Sequence, residues 1–462
     1  MSKTNTTPRI KDYRNICVLE NADSKLHQAF YTVLSVKGDK LWFNRAYKLG
    51  KWDGYYRFYN KQKSTFPAGL LHLIKRRFPN IPVISGVQSP CPIDIDKIKD
   101  LQTLSPRNDQ LIAIKNALVK KRGIIQWPTG AGKTVGIAMI CNAIADNILV
   151  LVHTKNLLIQ TSDVIERELG EEIGKIGAGL FSIKRITVGI IASVKTLSSE
   201  ELSDFNCIIL DESHHASANT FYSTIIRCSA YYRFGFSADP LDEHSVKSNS
   251  QYKQTRILGC FGPIISLTSV KQMKKEGIIA TPKIKFLRID NSYPGEKNFI
   301  LPYDKAYCKY YCHNVIMHDK IIRIVSRHKN ESILIIVKHI HHGKNLQNTL
   351  THNNINCQFL SGEEKSSFIQ EKIKEFKDKK LKVLIGSPIF NEGVDMPNVD
   401  VLIMAAGDIA ATKQRLGRSL RKKTRHDNTV RVYDFFLVGN KHTERHAKRR
   451  IQIYKNEGHE II

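Results

Sequence analysis

With 462 residues the chain is long enough for about three domains. Its 71 Lys and Arg against 43 Asp and Glu leave a formal net charge of +28, which favours a polyanionic partner, nucleic acid or an anionic membrane surface. The sequence has no apolar run near the ~18 residues of a membrane span, and its polar first seven residues lack the apolar core of a signal peptide. The expectation is therefore nucleic acid rather than a membrane, in the cytoplasm.

Residues 1–98 are predicted to form a small basic and aromatic α+β domain for substrate recognition. Strands are expected at 13–19, 40–43 and 54–59, and helices at 22–34 and 69–78. In its middle Trp42, Phe43, Tyr47, Trp52, Tyr55, Tyr56, Phe58 and Tyr59 interleave with Arg45, Lys48, Lys51 and Arg57. Aromatic faces beside cations can stack bases and hold phosphates; alternate aromatics can also simply fill one face of a sheet. About half are expected in the core, with Arg45, Lys51 and Trp52 touching nucleic acid. Pro79, Pro82, Pro90 and Pro92 mark the exit linker.

From residue 99 strands and helices alternate, the pattern of parallel α/β layers. Residues 99–281 form the first such domain. A strand at 123–127 and a helix at 135–144 flank Pro128-Thr129-Gly130-Ala131-Gly132-Lys133-Thr134, which has the form of a phosphate-binding loop. Gly130 and Gly132 free backbone N–H groups to face a triphosphate at a helix N-terminus. Thr129, Ala131 and Lys133 complete the cradle, Lys133 reaching the β- and γ-phosphates and Thr134 ligating Mg²⁺. Trp127 departs from the usual pattern, which has a small residue there. A strand at 207–210 then delivers Asp211-Glu212-Ser213-His214. A bare Asp-Glu pair means little, but at a strand end after a phosphate loop it is where Mg²⁺ is held. Asp211 is assigned to the metal, Glu212 to polarising the attacking water, and His214 to carrying the nucleotide state outward.

Residues 282–440 repeat the alternation, with strands at 332–337, 357–360, 382–386, 399–404 and 429–436. Gln414 to Arg421 lie on a predicted helix, where Arg418 and Arg421, three apart, share a face and can stabilise charge on a γ-phosphate. Residues 441–462 are expected as a basic C-terminal tail. Fourteen Lys or Arg stand against three Asp or Glu between Lys413 and Lys455. The nine cysteines include no Cys-x-x-Cys pair, and several sit in apolar runs, as free thiols do in a reducing compartment. Cys308, Cys312, His313 and His318 have a spacing that suits a metal but equally the faces of an ordinary helix, and the helix is preferred. His339, His341 and His342 are likewise expected at a surface or facing nucleic acid rather than as ligands.

Taken in order, these motifs resemble the superfamily 2 helicases and translocases, in the DExH form, over residues 100–440. The resemblance implies an α/β fold with two RecA-like parallel-sheet domains in tandem after the small α+β domain, ATP bound between them, and Mg²⁺ as cofactor. It places Arg107 and Gln110 at adenine, Gly393 and Asp395 at the nucleotide, and Gln414, Arg418 and Arg421 in catalysis. His214 and Ser237, the latter in Phe236-Ser237-Ala238-Asp239, would couple hydrolysis to movement, although Asp239 stands where Thr is more usual. Thr154, Lys155, Ser193, Thr196, Lys338, Ser361 and Asn391 would grip the strand backbone. Gly262-Pro263 followed by Glu276 to Pro282 resembles the DExH subgroup that holds type I restriction motors and UvsW-like helicases, and Phe43-Asn44-Arg45, Gly50-Lys51-Trp52-Asp53-Gly54 and Pro67-Ala68-Gly69-Leu70 are similar to the substrate-recognition domain of the UvsW-like branch. That resemblance implies remodelling of forks, Holliday junctions, D-loops and R-loops in phage-type replication and recombination. The alternatives are an RNA helicase, a translocase subunit of a restriction complex, or a binding scaffold with a dead ATPase. The scaffold is disfavoured because Lys133, Glu212 and Arg418 are all present. A monomer is the default, because no heptads appear.

Overall fold

Short aliphatic runs bounded by polar turns set the architecture. In Ile148–Val152 all five residues are buried, and a strand covered on both faces belongs in a parallel sheet with helices on each side. The computed structural model describes residues 7–88, 90, 92–241, 250–290, 301–387, 399–409, 412–420 and 428–462. The chain divides into two units, residues 1–127 with 132–268, and residues 269–462 with the short segment 128–131.

The first unit opens with a small lobe built from β1 (Arg9–Asp12), β2 (Ile16–Glu20), α1 (Ser24–Val33), β3 (Ser35–Lys37), α2 (Arg45–Lys48), β4 (Tyr55–Arg57), β5 (Thr65–Pro67), α3 (Leu71–Arg77) and β6 (Val83–Ser85). Four strands pair in the order β5-β2-β1-β6, and β3 pairs with β4. Phe30, Leu34, Phe58, Phe66 and Ile74 fill its core. The strand expected at 40–43 is instead a 3₁₀ turn, Leu41–Phe43. Lys40, at φ 51°, turns the chain out of the extended region, and Trp42 and Phe43 are left 74% and 86% exposed.

The large sheet follows, with α4 (Asn108–Lys120), β7 (Arg122–Gln126), α5 (Lys133–Ala143), β8 (Ile148–Val152), α6 (Lys155–Leu169), β9 (Gly174–Gly177), β10 (Leu180–Ser182), β11 (Ile186–Ile190), α7 (Ile191–Val194), α8 (Ser199–Ser203), β12 (Cys207–Asp211), α9 (Asn219–Arg227), β13 (Tyr232–Ser237), α10 (Ser250–Phe261) and β14 (Ile264–Leu267). Its order is β10-β9-β11-β8-β12-β13-β7-β14, parallel except where β9 and β10 pair antiparallel. The register aligns Ser237 with Gln126 and Asp211 with Phe236, so β7, β12 and β13 end at one carboxyl edge, where open α/β sheets bind ligands.

The small lobe packs against this sheet's helices through a glycine. A Cβ on Gly69 would lie 2.1 Å from the Leu258 carbonyl oxygen of α10, so only glycine permits that approach. Asp12 accepts from the Arg122 guanidinium at 2.9 and 3.1 Å, and the Tyr56 ring stacks on Tyr252 of α10 with centroids 3.9 Å apart.

The second unit comprises α11 (Val270–Lys275), β15 (Thr281–Asp290), α12 (Tyr303–Tyr307) running into a π-turn (Cys308–Cys312), α13 (Val315–Arg327), β16 (Ile333–Ile336), α14 (Ile340–His352), β17 (Cys357–Leu360), α15 (Ser366–Lys377), β18 (Val383–Gly386), β19 (Val401–Met404), α16 (Thr412–Ser419), β20 (Thr429–Val438), α17 (Lys441–Asn456) and β21 (Glu460–Ile461). Its seven-stranded sheet, β17-β18-β16-β19-β20-β15-β21, is parallel throughout. Residues 441–462, expected as a tail, are part of this layer. β21 pairs with β15, and α17 buries Ala447, Arg450 and Tyr454. Arg450 donates to both Asp434 carboxylate oxygens at 3.0 and 2.9 Å, and to the carbonyls of Gly407 and Phe435. Such a buried pair is tolerated because its polar atoms are matched. Four other basic side chains of α17, Lys441, Arg445, Lys448 and Arg449, line an open cavity of about 420 Å³.

Candidate functional site

The loop between β7 and α5 carries Gly130 at φ 85° and Gly132 at φ 88°, a left-handed geometry that a side chain would strain. The Ala131 N–H donates to the Pro128 carbonyl at 3.1 Å. Gln110 is buried and stands against the loop's end, since a Cβ on Gly132 would meet its amide nitrogen at 2.5 Å. The Gln110 side-chain oxygen accepts from the Arg107 N–H at 2.9 Å, and the Arg107 guanidinium pairs with Asp109 at 3.0 Å. Trp127, the departure from the usual pattern, is buried under α5. The space comes from Gly136, where a Cβ would fall 2.8 Å from the Trp127 ring. A glycine inside an apolar helix was the available signal for that exchange of volume.

Across the carboxyl edge, Lys133 Nζ lies 2.6 Å from Glu212 Oε1. Glu212 follows β12 at φ 56°, ψ 60°, a left-handed conformation that costs a non-glycine residue about 1–3 kcal/mol and recurs at functional sites. Burial opposes ionisation of Glu212, but the Lys133 ammonium and His214 outweigh it and hold the carboxyl well below its usual range. Asp211 moves the other way: burial first, then the Glu212 charge, pushes it up. A carboxylate so placed gains from a cation. Glu212 Oε2 has no hydrogen-bond donor among the described residues, only the His214 ring at 3.5 Å. This donor set suits an oxygen-ligated cation such as Mg²⁺, and Thr134, the second residue of α5, directly follows Lys133 in the chain. The His214 Nδ1 also lies 3.2 Å from Ser237 Oγ at the end of β13, so those two expected coupling residues are in contact.

The remaining expected residues scatter. Thr154 caps α6, its hydroxyl accepting from the Leu157 N–H at 3.3 Å, and Lys155 beside it is exposed. The Ser193 carbonyl accepts from the Thr196 hydroxyl at 2.7 Å. Lys338 sits over the rings of Tyr303 and Tyr307 at 4.3 and 5.3 Å and lines an open cavity of about 710 Å³ with His339, His341, Lys344, Gly362 and Ser387. Ser361 corrects the sequence expectation. It is fully buried, and its hydroxyl donates to Glu364 at 2.9 Å, so the neighbouring Gly362 faces the cavity instead. In the small lobe Arg45 and Lys51 are exposed and Trp52 is half-buried. The Trp52 indole N–H donates to the Tyr55 carbonyl at 2.9 Å. Asn391, Gly393, Asp395 and Arg421 lie outside the described residues, as do the side chains of Gln414 and Arg418 on α16.

Among the sulfur and imidazole groups, the pairing differs from the one considered from spacing. Cys308 and Cys312 meet His341, not His318, and these three donors lie within 4.8 Å of one another. His318 stacks instead on buried His342, ring centroids 5.7 Å apart.

A phosphate loop facing a DExH strand end, in a chain with two parallel-sheet layers, defines a helicase-type nucleotidase. Comparison with known proteins agrees. The family described as "Type III restriction enzyme, res subunit" matches residues 103–242, and the "Helicase conserved C-terminal domain" matches residues 317–423, together more than half of the chain. Over 384 residues the chain is 26% identical to the DNA 3′-5′ translocase XPB2 of Sulfurisphaera tokodaii, covering 74% of this chain and 83% of the relative. Over 436 residues it is 26% identical to the ATP-dependent DNA helicase uvsW of Enterobacteria phage T4, covering 84% and 82%. The fragment structure of a putative HsdR subunit of a type I restriction enzyme from Vibrio vulnificus YJ016 shares the fold, with a TM-score of 0.60, 18% identity and coverage of 88% and 74%. The chain belongs to the superfamily 2 helicases, and it is an ATP-dependent enzyme of that class.

Proposed function

We propose that the protein is an ATP-driven DNA helicase or translocase that unwinds or branch-migrates forks, Holliday junctions, D-loops and R-loops. DNA is favoured over RNA because the translocase and helicase relatives above are named for DNA. The observation that carries the branched-substrate reading is the small lobe. It leaves Trp42 and Phe43 largely exposed, in a segment with exposed Arg45, Lys48 and Lys51, on a base locked to α10 through Gly69. Exposed rings can stack an unpaired base while the cations hold phosphates, and a rigid mount lets the motor push against them.

In this reading residues 1–98 recognise the substrate, 99–281 are the first motor domain, and 282–440 are the second, with 441–462 completing its sheet layer and adding basic surface. Residues 129–134 cradle the triphosphate, with Arg107, Gln110, Gly393 and Asp395 completing nucleotide recognition. Thr134 and Asp211 hold Mg²⁺, which screens phosphate charge when bound. Lys133 leaves Glu212 for the phosphates, freeing that carboxylate to orient water. Gln414, Arg418 and Arg421 stabilise charge developing at the γ-phosphate, and His214 with Ser237 reports the nucleotide state. Thr154, Lys155, Ser193, Thr196, Lys338 and Asn391 contact backbone phosphates without reading bases, since a motor must pass any sequence. The chain works as a monomer in the cytoplasm, that of the host cell if it is phage-encoded.

Steady-state ATP hydrolysis tests the reading, with a four-way DNA junction, linear duplex, single-stranded DNA and single-stranded RNA as activators at one fixed salt concentration. Strongest stimulation by the junction is expected. Strongest stimulation by RNA would replace this reading with an RNA helicase.

A further inference from the structure

Two sulfur donors and one imidazole converge in the second unit, on residues that ATP chemistry does not use. Cys308 and Cys312 stand four apart on the π-turn, which the His313 N–H closes by donating to the Cys308 carbonyl at 3.1 Å. His341, from the first turn of α14, brings Nε2 to 3.8 Å from Cys308 Sγ. All three donor atoms lie within 4.8 Å of one another. Tetrahedral zinc, with bonds of ~2.0–2.3 Å, needs donors roughly 3.5–4 Å apart, so small side-chain rotations close the set.

The chemistry of the set is specific. Mg²⁺ and Ca²⁺ take oxygen ligands, whereas two thiolates with a neutral imidazole select zinc among the common divalent ions. Each thiol gives up its proton on binding, so Zn²⁺ and two thiolates are neutral together. That suits a place where Lys338 and Lys344 already line the adjoining cavity. Access is also present, because His341 is exposed and Cys308 half-buried, while Cys312 lies beneath them. Three protein donors leave the fourth position to water.

We infer that Cys308, Cys312 and His341 bind one Zn²⁺, which ties the π-turn to the first turn of α14. These two pieces bracket Lys338 and His339, so the ion would fix the wall of the cavity that they line. A rigid wall there is useful whichever nucleic acid the motor tracks.

The test uses the full chain, reduced and stripped with a chelator, titrated with Co²⁺ and then with Zn²⁺ in competition. One equivalent of Co²⁺ is expected to give a near-ultraviolet thiolate-to-cobalt charge-transfer band that Zn²⁺ abolishes. His341→Ala, an exposed change that leaves the fold in place, should weaken Zn²⁺ binding by more than the ~10–100-fold typical of losing an outer-shell partner. Zn²⁺ should raise the melting temperature of the unaltered chain and not of His341→Ala. Cys308→Ser should cut the charge-transfer band to roughly half, because one of two thiolate donors is lost. Lys133→Ala should bind Zn²⁺ as the unaltered chain does, which separates this site from the nucleotide loop. Absence of the charge-transfer band, or a band and affinity unchanged in both His341→Ala and Cys308→Ser, would overturn the inference.

Discussion

The carboxyl edge of the first sheet and the exposed rim of the small lobe belong to one unit, yet they are built in opposite ways. At the edge, Lys133 and Glu212 are largely buried, pair at 2.6 Å, and sit on strand ends whose register the sheet dictates. At the rim, Trp42 and Phe43 project exposed from a 3₁₀ turn, Trp42 with the Tyr47 ring edge-on at 5.8 Å. Stabilising charge on a phosphate requires dipoles fixed before the reaction, in a place with little water. Gripping a changing DNA structure requires open faces on a firm base. On the proposed reading, the contrast teaches where to expect each kind of residue: reaction chemistry at strand ends, substrate choice on turns.

Removing the edge should do the greatest damage. Lys133→Ala takes away the partner of Glu212 and, on the proposed reading, the ligand of the phosphates. Steady-state ATP turnover is expected to fall by at least about 10²–10³-fold, the usual effect of losing one charge-stabilising group, while DNA affinity by fluorescence anisotropy stays within a few-fold. Turnover within ten-fold of the unaltered protein would show that the pairing is structural and that the edge is not the reaction site.

How far each region could be foreseen follows from the same contrast. Gly130, Gly132, Lys133, Asp211 and Glu212 were legible because phosphate chemistry restricts residue type, spacing and strand context together. The strands were legible for a similar reason, since runs such as Ile148–Val152 are buried on both faces. The rim was not. Lys40 in a left-handed conformation turned an apparent strand outward, and lysine gives no warning of that. Gly69 could be marked as a motif, but its cause, the Leu258 carbonyl of α10, lies 189 positions away along the chain. The burial of Ser361 depends on Glu364 reaching back to it, a contact that the bare Ser-Gly pair conceals. Likewise His341 joins Cys308 and Cys312 only because α14 returns beside the π-turn.

Loosening the base of the rim separates its mount from its rings. Gly69→Ala puts a methyl group where the Leu258 carbonyl already stands, and overpacking of this kind costs about 1–3 kcal/mol. Denaturant unfolding should report that loss, and limited proteolysis should release the small lobe faster. Junction-stimulated ATPase is expected to drop more than basal ATPase. Equal drops in both would mean that the lobe supports the motor's fold rather than its substrate choice.

A smaller effect concerns the approach to the loop. Glu168, buried on α6, accepts from the backbone N–H groups of Thr103 and Leu104 at 2.9 Å and from the Thr103 hydroxyl at 2.5 Å, fixing the segment that leads to Arg107 and Gln110. Burial alone would raise its pKa, but these bonds and Arg167 outweigh it and hold the carboxyl below its usual value. With the folded pKa depressed, the contribution to stability is complete above the unfolded value of ~4.3 and fades as pH falls through the lower folded value. Glu168→Gln should therefore cost about 1–3 kcal/mol near neutral pH, with the difference from the unaltered chain shrinking on acidification. A difference that stays constant to low pH would show that shape, not charge, matters at this position.

The rings themselves should give the smallest change and the most specific one. Base–aromatic stacking is worth about 1–3 kcal/mol per base by alanine substitution, and trimming the exposed Trp42 and Phe43 removes from the fold a surface contact with the half-buried Tyr47 ring. The double variant Trp42→Ala, Phe43→Ala should therefore melt at nearly the same temperature and hydrolyse ATP at the same basal rate. Its concentration for half-maximal stimulation by a four-way junction is expected to rise about ten-fold, as roughly 1.4 kcal/mol would give, with linear duplex affected far less. If junction and duplex shift together, the rings serve as general nucleic-acid contacts and the choice of branched DNA must rest elsewhere on the lobe. If neither shifts, Arg45 and Lys51 become the groups to test, because a purely electrostatic rim would show itself in a steeper loss of stimulation with salt.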